Sequence, residues 1–281
     1  MKIVKIDKVS KSLIHTFNNW MNKEECGSVL KSKYIDRTWR QEWYTSPAMA
    51  LGTFFEWHVY EELGLNPEDS KEPPAELMAT GKAKLKTGVM LADEDLKAEY
   101  RLAKIKAKRL STLMIKSGIK PISVQAYITK DVNGITLHGY EDMEALFKRK
   151  KITIDLKYSG LLFDRWNKMG WLFNNEEQIG YHGVQAKHYE AITGKPFYYI
   201  VASPTNLIDV EMFRPVISPF AANQHIKKVE SIVERMELMQ EIDGFIDFPD
   251  YIKCQKCPLQ AHKMCDNALR KLVPKDIPIN S

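Results

Sequence analysis

The feature that most constrains this fold is a change of period near residue 120. Three β-rich runs follow one another: "ISVQAYITKD", "GITLHGYEDMEALF" and "KITIDLKYS". The segments "DVNG" and "KRKK" separate them. Asn-Gly between alternating apolar residues is a strong hairpin signal, so the spacing predicts an antiparallel meander. The third run is unusual. Ile152, Ile154 and Leu156 read as core, yet Asp155 and Lys157 interrupt them two positions apart. Side chains two apart on a strand share a face, so a carboxylate and an ammonium sit side by side opposite an apolar face.

Helical patterns surround the meander. Residues 13–34 have helical spacing at Leu13, Phe17, Trp20 and Met21. "TSPAMALGTFFEWHVYEELG" opens on Ser-Pro and ends at a glycine, as helices do. The segment "NPEDSKEPPAE" reads as an exposed loop within an irregular stretch, 65–91. "DEDLKAEYRLAKIKAKRLSTLMIKSG" starts acidic and ends basic, the order that the helix dipole favours. After the meander the pattern gives a helix over roughly 175–193, two strands, "PFYYIVAS" and "DVEMFRPVI", and a helix over roughly 221–242. The expectation is an α/β (α+β) fold with a mixed central sheet flanked by helices. We read 1–281 as one domain, with an N-terminal helix at 13–40, a helical region at 41–118, a sheet core at 119–245 and a Cys-rich tail at 246–281.

Composition excludes some classes. With 44% hydrophobic and 27% charged residues the 281-residue chain is ordinary for a globular protein. No apolar run approaches the ~20 residues of a membrane span. The start, "MKIVKIDKVSKSLIHTF", has no signal-peptide core, so a cytoplasmic location is expected. Formal net charge is +5, which permits a nucleic-acid partner without demanding one. "ATGKAKLKTG" lacks phosphate-loop spacing, so no nucleotide-driven helicase motor is expected.

The triplet Asp-x-Lys occurs three times, at Asp69–Lys71, Asp95–Lys97 and Asp155–Lys157. Only the third lies in a strand, and only it has a carboxylate, Asp142, on the preceding strand. Antiparallel pairing brings Asp142 and Asp155 together. Two readings stand. One is a structural salt bridge on an edge strand. The other is a hard divalent cation between carboxylates that would otherwise repel.

"GYEDMEALFKRKKITIDLKYSG" resembles the core motif of the PD-(D/E)XK nuclease superfamily, in which a Gly-x-x-Asp strand pairs with an acid-x-Lys strand. Gly139 and Asp142 match the first part, and Asp155 and Lys157 the second. "LGTFFEWHVYEELG" resembles the Gly-x-x-x-His helix of the RecB-like branch, with Gly52 in place and Glu56 at the histidine position. Phage exonucleases of the superfamily have an acid there. His58, two residues on, is the other candidate, but that step is a rotation of roughly 200° on a helix. "GVQAKHYEAITG" resembles the branch's Gln-x-x-x-Tyr motif through Gln185 and Tyr189.

The cysteines add a fourth match. Cys26 stands alone, while Cys254, Cys257 and Cys265 crowd together in "CQKCPLQAHKMC". Such spacing reads as metal or cluster ligation. A zinc knuckle closed by His262 is one reading. The other follows from resemblance to AddB-type and CRISPR-associated RecB-like exonucleases, in which one N-terminal cysteine and a C-terminal trio hold a [4Fe–4S] cluster.

The resemblance, over about residues 13–265, implies a restriction-endonuclease-like core and an Mg²⁺- or Mn²⁺-dependent DNA exonuclease. It implies Asp142, Asp155, the Leu156 carbonyl and Glu56 as metal ligands. Lys157, Gln185 and Tyr189 complete the catalytic set with the aspartates. The substrate is DNA, single-stranded or linear duplex, in recombination, repair or phage or CRISPR DNA processing. A helicase or recombination protein is the expected partner. Alternatives are a site- or structure-selective endonuclease of the superfamily, or a DNA-binding module with a degenerate site. The basic residues Lys104, Lys106, Lys108, Arg109, Lys148 and Arg149 are candidates for a phosphate path, the competing reading being a solvated face. Trp43, Trp57, Trp166 and Trp171 are candidates for base stacking or for the core.

Overall fold

The structure is a computed structural model. It describes residues 3–39, 47–66, 98–158, 166–167, 170–171, 176–203, 210–242, 244–246, 257 and 259. Two compact units emerge, one of residues 6–15 and 45–234, the other of residues 1–5, 16–44 and 235–281.

The larger unit is a mixed α/β fold with a six-stranded sheet. Its long strands are β2 (Lys120–Val132), β3 (Ile135–Phe147) and β4 (Lys150–Tyr158), the meander expected from sequence. Asn133 and Gly134 take φ of 52° and 81°, the left-handed pair that a two-residue hairpin turn requires. Lys148 and Arg149 do the same at the next turn, with φ of 48° and 65°. That turn carries no glycine or asparagine, so its type was not legible. Strand β4 then pairs in parallel with β7 (Phe197–Ala202), and β7 antiparallel with β8 (Val210–Phe213). A short β1 (Lys8–Ser10), unforeseen from sequence, pairs in parallel with β3. A two-stranded ribbon, β5 (Trp166–Asn167) with β6 (Gly170–Trp171), was also unforeseen. Strand β4 lies between β3 and β7 and is not an edge strand, but its pairing with β3 ends at Ile154, so Asp155 and Lys157 are paired with β7 alone and face a gap on the other side.

Helices cover both faces. On one face α3 (Pro47–Glu62) and α4 (Ala98–Lys116) bury Phe54, Phe55, Val59 and Leu110 against Met143, Ile152, Ile154 and Leu156. On the other, α5 (Glu176–Thr193) sets Ala186 and Tyr189 against Phe197, Tyr199 and Val201. Gly194, with φ of 66°, ends α5 where sequence placed its stop. The last helix, α6, runs Pro219–Glu241.

The helix expected over 13–34 is two helices, α1 (Lys11–Met21) and α2 (Gly27–Tyr34). Lys23 takes a left-handed φ of 62°, and the Asn-rich "NNWMN" competes poorly for helix, so the chain breaks before Cys26. In the smaller unit Gly27 N–H donates to the Ile246 carbonyl at 3.1 Å. A Cβ at Gly27 would lie 2.5 Å from the Phe245 carbonyl carbon, so only glycine lets α2 approach that segment. No helix among the described residues is long and apolar enough to cross a membrane.

Candidate active site

Strand β3 has two different neighbours along one edge. It pairs with β1 at residues 136–138 and with β4 at residues 143–147, while β2 follows its other edge. Residues 139–142 therefore lie in a gap between β1 and β4. Asp142 reaches across it, and its Oδ2 accepts the Leu156 backbone N–H at 3.3 Å.

The strand also changes face here. Met143 and Ala145 join the core under α3 and α4. Glu141, two residues earlier, accepts from Thr153 Oγ1 at 2.5 Å and from Lys195 Nζ at 2.6 Å on the α5 side. A regular strand would put Glu141 and Met143 on one face. Across on β2, Gln125 takes a left-handed φ of 51°. Val124 packs with the α3 core, whereas Ile128 packs with the α5 cluster. Both strands thus switch faces at the level of Gln125 and Asp142. Groups from opposite sides of the sheet meet there.

From the α5 side comes Asp155, only 3% exposed. Gln185 Nε2 donates to its Oδ1, and the Lys157 ammonium rests on its Oδ2. From the α3 side comes Glu56. Tyr60 donates its hydroxyl to Glu56 Oε1 at 2.5 Å, and Gln125 Nε2 donates to the same oxygen. Burial, with the charge of Asp155, raises the Glu56 carboxyl above the usual range. Asp142 is held well above its usual range, first by burial and then by the charges of Asp155 and Glu56, against which Lys157 pulls. Asp155 acts on both Glu56 and Asp142, and Glu56 acts on Asp142, so the three carboxylates lie in one neighbourhood.

Glu56 and His58 part as helix geometry demands. His58 is buried, its Nδ1 lies 2.8 Å from Glu61 Oε2, and its ring stands edge-on to Phe54. Only Glu56 turns towards the aspartates. A side chain at Gly52 would meet nothing within 4 Å, so packing does not explain that glycine.

Gln185 and Tyr189, one turn apart on α5, both reach the motif strands. Gln185 holds Asp155 of β4. Tyr189 donates to the Tyr140 carbonyl of β3 at 2.6 Å, and its ring lies against Gly139. Tyr60 and Gln125 escaped sequence analysis. For Tyr60 a signal existed, its i+4 spacing from Glu56; for Gln125 the β2–β3 register was needed.

Other candidates lie elsewhere. Lys148 and Arg149 are at the far turn of the β3–β4 hairpin, six residues from Asp142 and Asp155, roughly 20 Å along the strands. Lys108 and Arg109 are exposed on α4 and Lys104 is half-buried. Lys106 is buried and donates to the Ser203 carbonyl, so it is not part of an exposed basic face. Trp57 is half-buried on α3. Cys254, Cys265, His262, Trp43 and the side chains of Trp166 and Trp171 lie outside the described residues, as do Asp69–Lys71, Asp95–Lys97 and the 67–97 segment. Cys26 and Cys257 pack in one cluster with Val29, Leu259 and Trp39.

Among the described residues, no three His, Cys, Asp or Glu side chains stand close enough to hold an ion as placed. Lys157 and Gln185 take up the oxygens of Asp155, while Tyr60 and Gln125 take up one of Glu56. The donor types are nonetheless those a hard divalent cation takes, and the mutual repulsion felt by Asp142 is what such a cation relieves.

These elements define an α/β protein with a carboxylate–lysine cluster at a break in its central sheet. A solved structure shares the fold: a protein from Eubacterium rectale named "Putative exonuclease". It aligns over 97% of this chain and 91% of its own, with a TM-score of 0.57 and 16% identity. A second, SSO0001, covers 92% of this chain and 87% of its own at 10% identity and a TM-score of 0.38, too low to argue from. No protein-family model matches the chain. No curated protein matches it either.

Proposed function

We propose that this chain is a divalent-metal-dependent deoxyribonuclease that hydrolyses phosphodiester bonds from DNA ends. The observation that carries this is the meeting of Glu56, Asp142, Asp155 and Lys157 where β3 and β4 part. A shared fold with a protein named for exonuclease activity supports the same class. So does the sequence resemblance to RecB-like nucleases of the PD-(D/E)XK superfamily.

In this reading Asp142, Asp155, the Leu156 carbonyl and Glu56 hold one or two Mg²⁺ or Mn²⁺ ions, which when bound supply charge neutralisation at the phosphate and a water of lowered pKa. Lys157 brings a positive charge to that place. Its ammonium orients the attacking water and offsets charge growing on the phosphate oxygens. Gln185 fixes the Asp155 carboxylate. Tyr189 fixes the β3 backbone two residues before Asp142. DNA is the substrate, and a helicase or recombination protein supplies unwound strands.

The same reading places a [4Fe–4S] cluster on Cys26, Cys254, Cys257 and Cys265. Its support is that Cys26 and Cys257, with 230 residues between them, share one apolar cluster. Four thiolates suit such a cluster.

The test is anaerobically purified protein incubated with end-labelled linear and closed-circular DNA, single- and double-stranded, with Mg²⁺ or Mn²⁺. Ion-dependent loss of linear DNA with closed duplex circles spared is expected. Linearisation of closed circles would make it an endonuclease, and inert DNA in every arm would end the nuclease reading.

A further inference from the structure

One exposed feature beside the site has no part in the chemistry above. Tyr127 of β2 and Tyr140 of β3 are direct cross-strand partners. They are 50% and 58% exposed, and their ring centroids are 5.2 Å apart at 52°. His138 extends the patch, 5.9 Å from Tyr127. Gly139 and Glu141 face α5, so Tyr140 between them faces the α3 side, as Glu56 does. The α3 helix covers β3 at Met143 and Ala145 and leaves the tyrosines open.

The pair lies two residues along each strand from Gln125 and Asp142. That is roughly 6.6 Å. Stacked bases in a duplex rise only about 3.4 Å per step. An unstacked nucleotide therefore spans the distance from the carboxylate cluster to the rings. Cross-strand aromatic pairing alone explains their contact. It does not explain two rings each at least half exposed next to a break in the sheet. Tyr140 is also held from behind, because its carbonyl accepts from Tyr189. The charge pattern suits a nucleic-acid strand. Lys157 stands at the carboxylate end, and exposed Lys8 of β1 lies by His138 at the other.

We propose that Tyr127 and Tyr140 form a stacking subsite for an unpaired base of a DNA strand, one nucleotide from the phosphodiester at the carboxylate cluster. This rests on the nuclease reading for its choice of ligand. Unpaired bases present π faces, and stacking on tyrosine is indifferent to sequence. A paired duplex presents base edges in its grooves and leaves the rings without a partner.

The test is fluorescence anisotropy in EDTA, with labelled oligothymidylate and an abasic strand of equal length. The parent and the double variants Tyr127→Ala/Tyr140→Ala and Tyr127→Phe/Tyr140→Phe are compared, with thermal melting of each. The parent binds oligothymidylate about tenfold more tightly than the abasic strand, the scale of one stacked base. The alanine pair loses that preference and the phenylalanine pair keeps it. Equal binding of both strands by the parent, or an undiminished preference in the alanine pair, would overturn the subsite. Should the alanine pair fail to fold, loss of preference in a Tyr140→Ser single variant, or its retention, decides instead. Cleavage of linear DNA with Mg²⁺, run in parallel, judges the nuclease reading separately. A protein that cuts DNA but ignores bases loses only the subsite; one that prefers bases but never cuts loses only the nuclease.

Discussion

Gly139 lies against Tyr189 so closely that a Cβ built on it would sit 3.0 Å from the tyrosine hydroxyl oxygen and 3.2 Å from Cζ. The first motif strand and the Gln-x-x-x-Tyr helix are thus one packed unit. The glycine's role is close approach, not backbone freedom. Gly139→Ala is expected to push Tyr189 off the Tyr140 carbonyl, costing about 1–2 kcal/mol for the lost buried hydrogen bond and the overpacking. Tyr189→Phe in the Gly139→Ala background should then add little further loss, a coupling that a double-mutant melting cycle reads directly.

Asp155→Ala and Lys157→Ala are expected to reduce DNA cleavage by at least 100-fold, the scale of losing a positioned electrostatic group. Asp142→Asn should lose cleavage as fully yet raise the melting temperature of the metal-free protein, because it removes a charge that burial, Asp155 and Glu56 all disfavour. Full cleavage by both the Asp155 and Lys157 variants would refute the assignment.

Glu56→Gln is expected to weaken cleavage far more than His58→Ala, because Glu56 shares a field with the aspartates while His58 is engaged with Glu61. His58→Ala should instead lower stability, since it empties a buried site beside Phe54. Activity lost only in His58→Ala would reverse the roles.

Acid should loosen the β3–β4 hairpin through Glu144. Hydrogen bonds from Lys151 and Lys195 hold its carboxyl below the ordinary value. A carboxyl depressed on folding contributes stability above its unfolded pKa, and that contribution is lost as pH falls through the folded value. The loss is therefore expected below about pH 4.5, the ordinary glutamate range. Lys195→Met should flatten this limb in urea melts from pH 7 to 3; an unchanged pH profile would show that the pair contributes nothing.

Anaerobic preparations are expected to be brown, with about four irons per chain. Cys26→Ser should lose most of that iron, although 227 residues separate it from Cys254. Gly27→Ala should mimic the loss, since a methyl group there collides with the backbone at Phe245 and Ile246. One zinc per chain, unchanged by Cys26→Ser, would point to a local knuckle closed by His262.

Much of the architecture is local in origin and was legible in the chain. Alternation and the Asn133–Gly134 turn gave the meander, and Gly64 and Gly194, both with positive φ, marked helix ends. The Asp155–Lys157 face followed from the two-residue period of a strand, and the separation of Glu56 from His58 from the pitch of a helix. The tertiary structure decided what depends on long-range register. It put β4 in the sheet interior, between β3 and β7. It opened β3 between β1 and β4, so that a carboxylate from each face arrives at one place. It seated Gln125 and Tyr60 on Glu56, and Tyr189 on Gly139. The split of residues 13–34 into two helices turned on Lys23 and on the fit of Gly27 to a segment more than 200 residues away. Propensity and period are properties of neighbouring residues. The face switch at Asp142 lies where β1 and β4 share one edge of β3 while α3 and α5 cover its opposite faces, and no window of sequence contains all four.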